Sequence, residues 1–224
     1  MLYGSRVHQI EPLVRELGFE IATGDPEFVI TYGGDGGLMR AEGKYPGVPK
    51  ILLKDSAICK KCSPLPNDEI LRRIKERKFT IDELEKLEVT AHGKVLYAVN
   101  DVVIHNQDTR HAMRYQIAIN GKAAGGTIIG DGIVAATPFG STAYYRSITD
   151  SFFEVGIGLA FNNSTEQSDH MVLKADSVIT LTVVRGPAMA YADNQEEELV
   201  LAEGDSAVIR KSAQKARIVV PDIG

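Results

Sequence analysis

The sequence predicts an α/β + β fold, with an α/β domain over residues 1–88 followed by a β-rich domain over residues 89–224. Up to about residue 88, apolar residues at helical spacing alternate with short, continuous apolar runs. Beyond that point the apolar residues fall in strand-like runs separated by turn signals. A length of 224 residues is enough for two small domains that each bury a core without help from disulfides.

The first elements along the chain follow an α/β pattern. Apolar residues at helical spacing from Val7 to Leu17 lie between Ser5, a good N-cap, and Gly18, a good helix stop, so they predict an amphipathic helix. A strand is expected at 19–22. After the turn signal at 24–26, the apolar run 28–30 has the character of a buried parallel strand that leads directly into glycines.

Three further elements complete the predicted α/β domain. The run 48–53 is expected to be a second buried strand, and a helix is expected after Asn67, where apolar residues recur at helical spacing. The sequence Thr-Ile-Asp-Glu at 80–83 has the form of a capping box, which predicts a short helix over residues 82–87.

The remainder of the chain is expected to form strands. The Asn120-Gly121 pair is a strong hairpin signal because both residue types accept a positive φ. The expected strands cover residues 89–91, 95–104, 114–119, 123–129, 133–137, 155–161, 171–184, 188–192, 199–202, 207–210 and 217–220.

Composition and charge exclude several classes of protein. Twenty-five basic against thirty acidic side chains give a net charge of −5, which disfavours a basic nucleic-acid binder. No apolar stretch approaches the ~20 residues that a membrane-spanning helix needs, and residues 1–9 resemble neither a signal nor a transit peptide. A cytoplasmic protein with no membrane partner is therefore expected.

Only two cysteines are present, in the sequence Cys59-Lys-Lys-Cys62. One pair excludes a network of several disulfides, and a tetrahedral zinc site would need two more ligands. Two thiols in a surface loop are the favoured interpretation, and a zinc site remains the alternative.

The sequence GGDGG at 33–37 is the sharpest local signal. Glycines without Cβ atoms let a phosphate chain approach the backbone, and a helix that begins there directs free N–H groups at the anion. Asp35 has two roles open to it: to accept a proton from an attacking hydroxyl, or to hold Mg²⁺ on the phosphates. The alternative is a glycine-rich turn whose aspartate serves only the local backbone.

Two more polar patterns lie in the β-rich domain. The stretch from Asp131 to Tyr144 reads DGIVAATPFGSTAY, in which Ser141 or Thr142 can cap a helix and the tyrosine offers a stacking face. Asn100 and Asp101 lie inside an apolar strand, where a charge needs a partner. Such a pair can bind ribose hydroxyls, although a buried structural network is an equally natural explanation.

Taken in order, these patterns resemble the NAD kinase family. The matching features are GGDG after a strand, an Asn-Glu-like pair written here Asn100-Asp101, and the DG-to-TPxGSTAY block at 131–144. The sequence Asp-Asn-Gln at 193–195 is similar to the family's Asp-Gly-Gln. The resemblance spans residues 33–195. The TPxGSTAY sequence is highly specific, whereas GGDG alone is shared with diacylglycerol and sphingosine kinases.

The resemblance implies a nucleotide-binding α/β domain joined to a β-sandwich-like domain, and transfer of the γ-phosphoryl of ATP to the adenosine-ribose 2′-hydroxyl of NAD with a divalent cation such as Mg²⁺. It implies that Asp35 is the catalytic carboxylate and that Gly34 and Gly36 line the phosphates. The residues that it places around NAD are Asn100, Asp101, Asp131, Thr142, Ala143, Tyr144 and Ser147. A homo-oligomer, dimer or tetramer, is a further expectation, since β-rich domains expose strand edges.

Several positions depart from the family pattern. Gly37 replaces the usual Thr, Asp101 the usual Glu and Asn194 the usual Gly, and residues 51–62 lack the family's GINxGxLGFL segment. Two alternatives to a kinase acting on NAD therefore stay open: a non-catalytic NAD(H)-binding regulator, and a lipid or small-molecule kinase with a GGDG loop. The polar second block suits a nucleoside better than an acyl chain.

Overall fold

The computed structural model describes residues 1–55, 62–165 and 169–223. The chain divides into two units, Met1–Leu84 with Lys215–Gly224, and Glu85–Gln214. The predicted ranges, 1–88 and 89–224, differ from these units mainly at the C-terminus, because residues 215–224 return to the first unit.

The first unit contains a parallel sheet with helices. Its strands are β1 (Leu2–Tyr3), β2 (Val29–Gly33) and β3 (Lys50–Lys54), and its helices are α1 (Glu11–Glu16), α2 (Gly36–Lys44) and α3 (Asn67–Lys75). A 3₁₀ turn at Val7–Gln9 precedes α1. The three strands are parallel in the order β1-β2-β3, and the end of the last strand of the chain pairs with β3 through Ile218 and Lys50.

The core of the first unit lies between these strands and helices. In α3, Ile70, Leu71 and Ile74 recur at helical spacing and all three are buried. The other members of this core are Ile10, Val14, Ile30, Ile51, Leu53 and Val219. The strand and helix expectations at 28–30, 48–53 and after residue 67 are thereby confirmed.

The second unit consists almost entirely of strands. They are β4 (Phe79–Ala91, which begins in the first unit), β5 (Lys94–Ala98), β6 (Asp101–Asn106), β7 (Met113–Ile119), β8 (Lys122–Ala123), β9 (Ile128–Gly130), β10 (Gly132–Ala136), β11 (Ile157–Asn162), β12 (His170–Leu173), β13 (Ile179–Arg185), β14 (Ala188–Ala192), β15 (Glu198–Leu201) and β16 (Ser206–Pro221, which ends in the first unit). A 3₁₀ turn at Gly140–Thr142 leads into α4 (Tyr144–Thr149).

The strands of this unit form two antiparallel layers. One layer has the order β12-β11-β10-β6-β14-β15. The other contains β16, β13, β7 and β8 in sequence, with β9 beside β7 and the β4–β5 hairpin beside β16. One cluster of buried side chains draws on strands of both layers, including Ile104, Ile133, Tyr115 and Leu181. The β-sandwich-like expectation is confirmed.

Two predicted elements are wrong. Residues 82–87 continue strand β4 instead of forming a helix, because β16 pairs with this strand, and Leu87, Val89 and Ala91 alternate into the core. This tertiary burial at a period of two outweighs the local capping-box signal. No strand forms at 19–22, because β1 already occupies the sheet edge beside β2.

The predicted hairpin at Asn120-Gly121 is confirmed. Both residues have positive φ, 52° and 75°, and Ile119 pairs with Lys122 across the two-residue turn. The Asn120 Oδ1 also accepts a hydrogen bond of 2.8 Å from the Val178 N–H, which joins the turn to the next strand region.

Of the two cysteines, the structure describes one. Cys59 lies outside the described residues. Cys62 is disulfide-bonded, so the interpretation of two free thiols is wrong for this residue.

None of the helices in the described ranges combines the length and hydrophobicity that a membrane crossing requires.

Candidate functional site

The glycine-rich loop of the first unit joins β2 to α2. Strand β2 ends at Gly33, and α2 begins at Gly36 with Asp35 in the N-cap position. The Gly37 N–H donates to the Gly34 carbonyl at 3.0 Å, and the Leu38 N–H donates to the Asp35 carbonyl at 3.1 Å. The predicted strand, loop and helix are therefore present, and Asp35 lies at the positive end of a nine-residue helix.

The glycine at position 37, where the resembled family has threonine, lies beside Thr31. A Cβ atom added at Gly37 would lie 3.4 Å from the Thr31 Cβ, which is close to an ordinary van der Waals contact. The backbone at this position is therefore compatible with a side chain. What the loop lacks relative to the family is the hydroxyl.

The second unit places Asn100 and Asp101 in a turn at the start of β6. The Asp193 carboxylate accepts three backbone hydrogen bonds from this turn: from Val99 at 2.7 Å, from Asn100 at 2.8 Å and from Asp101 at 3.1 Å. The Asp193 N–H in turn donates to the Asp101 carbonyl at 2.9 Å. The carboxylate of Asp193 thus fixes the backbone that presents the Asn-Asp pair.

A second turn, which begins at Thr137, packs against the same backbone. The Thr137 N–H donates to the Asn100 carbonyl at 2.8 Å, and the Thr137 hydroxyl donates to the Val99 carbonyl at 2.6 Å. Position 140 must be glycine for this approach, because a Cβ atom there would lie 2.1 Å from the Asn100 carbonyl oxygen. The TPxG sequence therefore docks the turn onto Asn100.

Strand pairing explains why these motifs meet. Ala136, the last residue of β10, pairs with Asp101, and Ala192 at the end of β14 pairs with Val102. Because β6 runs antiparallel to both neighbours, its first residue lies beside the last residues of β10 and β14. Three sequence motifs that are far apart in the chain consequently share one edge of the sheet.

The pair of carboxyl groups at this edge is buried. Burial and the nearby Asp193 charge raise the pKa of Asp101 to about 7, and burial raises the pKa of Asp193 to about 6 against the lowering effect of its three N–H donors. Since the backbone donors favour the ionised form of Asp193, Asp101 is the group that holds a proton near neutral pH.

This proton makes the stability of the second unit depend on pH. A carboxyl whose pKa is raised on folding stabilises the fold fully below its unfolded pKa, near 4, and loses that contribution as the pH rises through about 7. We expect the free energy of unfolding to fall by about 2 kcal/mol between pH 5 and pH 8, and Asp101→Asn to remove most of this fall. Urea denaturation at pH 5 and pH 8 measures this change in the free energy of unfolding, and Asp176→Asn, at an exposed aspartate, is the control. An unchanged pH dependence in Asp101→Asn would contradict the assignment.

Helix α4 presents two of the predicted site residues on one face. Tyr144 and Ser147 are three positions apart, both are exposed, and the Ser147 hydroxyl donates to the Tyr144 carbonyl at 2.7 Å. The adjacent Tyr145 is fully buried and packs edge-to-face on Phe153. The buried tyrosine anchors the helix and leaves the Tyr144 ring available to solvent.

Asp131 lies at the opposite end of β10 from the Asn-Asp pair. Gly132 and Ala136 are four residue steps apart along the strand, a span of about 13 Å. The Asp131 carboxylate accepts a hydrogen bond of 2.7 Å from the Asn163 side chain. The predicted NAD residues of this unit therefore fall into a group at the Asn100 edge and a separate position at Asp131, with α4 as a third surface.

Two residues at the site had no predicted role in it. Asp193 belongs to the sequence that is similar to the family's Asp-Gly-Gln, and Thr137 belongs to TPxGSTAY. Neither motif predicts a contact with Asn100. A charged residue that follows an apolar strand was the available signal for Asp193. Its partners lie more than 90 positions away, so the contact itself could not be read from the sequence.

The described residues contain no ready-made cation cage. In the ranges 1–55, 62–165 and 169–223, no three His, Cys, Asp or Glu side chains are grouped as metal ligands. This finding does not conflict with Mg²⁺ use, since magnesium is commonly held by one or two carboxylates together with substrate phosphates and water.

Comparisons with known proteins agree with the motifs. Residues 99–220 match the ATP-NAD kinase C-terminal domain. The NAD kinase of Methanothermobacter thermautotrophicus is 26% identical over 218 residues, which cover 93% of this chain and 76% of that protein. The NAD kinase of Sulfurisphaera tokodaii is 31% identical over 144 residues, and this match covers 62% of the present chain and 55% of the other.

Solved structures show the same fold. An NAD kinase from Archaeoglobus fulgidus in complex with ATP aligns with a TM-score of 0.79 at 18% identity, covering 97% of this chain and 93% of that one. Yeast NADH kinase complexed with NADH aligns with a TM-score of 0.78 at 19% identity, covering 89% and 63% of the two chains. The domain match extends over more than half of the sequence, so this chain belongs to the NAD kinase family.

Proposed function

We propose that the protein transfers the γ-phosphoryl group of ATP to the 2′-hydroxyl of the adenosine ribose of NAD, giving NADP and ADP. Family membership supports the reaction class. The relatives named above favour NAD as acceptor over the lipid-kinase alternative, because they are NAD and NADH kinases. ATP as donor, a divalent cation and the individual site residues are parts of the proposal.

One observation is the main support for NAD binding in this proposal. The side-chain oxygen of Asn100, Oδ1, is buried and has no hydrogen-bond partner among the described residues. An unsatisfied buried acceptor costs about 1–3 kcal/mol unless a ligand supplies a donor. A ribose hydroxyl is such a donor, and the adjacent Asp101 offers a second oxygen for a vicinal hydroxyl.

The remaining residues of the second unit suit the rest of a dinucleotide. We assign the adenosine contacts to Thr142, Ala143, Tyr144 and Ser147, since the exposed tyrosine ring offers a stacking face for the base. Asp131, about 13 Å along β10, is assigned to the nicotinamide half. An extended dinucleotide needs separated contacts of this kind.

The chemical step is assigned to the glycine-rich loop. Asp35 accepts the proton of the 2′-hydroxyl while the 2′-oxygen of the ribose forms a bond to the γ-phosphorus of ATP. The bond between that phosphorus and the β–γ bridging oxygen breaks, and ADP leaves. Gly34 and Gly36 allow the phosphates to approach the backbone at the start of α2. A divalent cation such as Mg²⁺, when bound, neutralises phosphate charge, and Asp35 is the carboxylate of this loop that would hold it.

The reaction is tested by incubating the purified chain with NAD⁺, ATP and Mg²⁺ and measuring NADP⁺ with an NADP⁺-specific dehydrogenase. Parallel reactions with NADH, and with inorganic polyphosphate in place of ATP, identify the acceptor and the donor. A protein that binds NAD⁺ but forms no NADP⁺ with either donor would be the non-catalytic NAD(H)-binding regulator instead.

The role of Asn100 has a specific test. Asn100→Ala removes an acceptor that has no partner among the described residues, so we expect the Kd for NAD⁺ to rise about 10-fold while the melting temperature changes little. The control is Asn120→Gly, which removes the hydrogen bond from the Val178 N–H to the Asn120 side chain in the β7–β8 turn. This variant should lower stability without changing the Kd for NAD⁺. A lowered melting temperature with unchanged NAD⁺ affinity would assign Asn100 to a structural network.

Two properties of the whole protein belong to the same proposal. The first is a location in the cytoplasm. A homo-oligomer is favoured by the strand edges of β12 and β15, which end their sheet and carry the exposed side chains Val172 and Val200. Size-exclusion chromatography with light scattering measures the number of subunits.

A further inference from the structure

Arg6 lies at the carboxyl-terminal edge of the parallel sheet in the first unit. It follows β1 by three residues, Gly33 ends β2, and Asp55 follows directly after β3. Because the three strands are parallel, these positions share the edge at which open α/β sheets bind their ligands. The edge also contains the glycine-rich loop.

The guanidinium of Arg6 lies between a buried acid and the glycine-rich loop. Its Nη1 forms an ion pair with the Asp55 carboxylate, which is 8% exposed, whereas the Arg6 side chain is 55% exposed. Its Nη2 lies 3.7 Å from the position that a Cβ atom would occupy at Gly33. One end of the planar group is therefore held by a buried acid, and the other borders the start of the glycine-rich loop.

This arrangement suits an anion at the loop. A guanidinium has five N–H donors in a rigid fork, so an arginine can keep one carboxylate and still bind phosphate oxygens with its remaining donors. Lys54, at the end of β3, already directs its Nζ to the Pro64 carbonyl at 3.0 Å. Arg6, by contrast, places a cation beside Gly33, at the start of the loop.

We propose that Arg6 binds the phosphate chain of the phosphoryl donor at the glycine-rich loop, and that Asp55 orients it. The identification of the donor as ATP rests on the proposed function, whereas the contact between the Arg6 guanidinium and phosphate does not. Where the family's GINxGxLGFL segment is missing, this chain has Asp55, which pairs with Arg6.

The test compares Arg6→Gln with Asp55→Asn by calorimetric titration of Mg-ATP and of tripolyphosphate, a probe that lacks the nucleoside. We expect Arg6→Gln to weaken binding of both ligands about 10-fold or more, the scale of a charge-assisted hydrogen bond, and to leave NAD⁺ affinity unchanged. Asp55→Asn keeps the cation and should stay within about 3-fold of the parent. Arg77→Gln, which breaks the exposed Arg77–Glu27 pair of the same unit, is the matched control.

Two results would overturn the proposal. Tripolyphosphate affinity that is the same in folded Arg6→Gln and in the parent would show that the guanidinium does not reach the phosphates. Equal weakening in Asp55→Asn and Arg6→Gln, accompanied by an equal fall in melting temperature, would show that the ion pair acts only through the fold. Failure of the kinase reaction is a separate outcome, since a parent protein that forms no NADP⁺ can still show Arg6-dependent tripolyphosphate binding.

Discussion

Replacing Asp35 with asparagine is expected to lower kcat for NADP⁺ formation about 100-fold or more, the usual scale for a positioned general base. Asparagine is nearly isosteric and keeps an acceptor oxygen at the start of α2. It can neither take the 2′-hydroxyl proton nor supply a full negative charge to a divalent cation. Because these losses affect the transition state, we expect NAD⁺ affinity and the melting temperature to change little.

Steady-state kinetics and calorimetric NAD⁺ binding measure the two effects separately. Asp25→Asn, an exposed aspartate in the turn before β2, is the control for a change of charge in the same unit. Equal losses in NAD⁺ affinity and turnover would show that Asp35 positions the substrate and does not act on the proton. Unchanged kcat would remove Asp35 from the mechanism.

Replacing Lys50 with methionine is expected to cause the largest loss of stability, about 3–5 kcal/mol. The Lys50 side chain is fully buried in β3, forms an ion pair with the buried Glu42 of α2 and donates to the Tyr45 carbonyl at 2.6 Å. Methionine has similar length but no charge, so the variant leaves the Glu42 carboxylate buried without this cation. Urea denaturation measures the loss.

A double variant separates the cost of burying the Glu42 charge without Lys50 from the cost of altered packing. Adding Glu42→Leu to Lys50→Met removes the remaining charge, and a pair of well-packed apolar residues is often as stable as a buried ion pair. We therefore expect the double variant to recover most of the lost stability. If it is less stable than Lys50→Met alone, the hydrogen bond from the Gly47 N–H to Glu42, 3.1 Å long, is the more important contribution.

The features that the sequence predicted correctly depend on local chemistry. The Gly33–Gly37 loop between a strand and a helix, the Asn120-Gly121 hairpin and the helix from Asn67 each follow from residues within a few positions of one another. The resemblance to the NAD kinase family also came from short, contiguous motifs. Backbone dihedral preferences and apolar periodicity are properties of neighbouring residues, so a single sequence contains them.

The features that it failed to predict depend on partners far along the chain. The capping-box pattern at 80–83 is a local helix signal, but pairing with the distant strand β16, from which Arg217 forms an ion pair with Glu83, makes the same residues part of β4. The return of residues 215–224 to the first unit was missed for the same reason, since a strand pattern does not name the strand that it pairs with.

The candidate site shows the same division. The chemical groups of the site can be found in the linear sequence: Asp35 among glycines, Asn100 beside Asp101, and the TPxGSTAY block. The contact by which Asp193 holds the Asn100 backbone appears only in the folded chain. Hydrogen bonds and ion pairs act over about 3 Å in space whatever the separation in sequence, so such partners become known only when the strands have been paired.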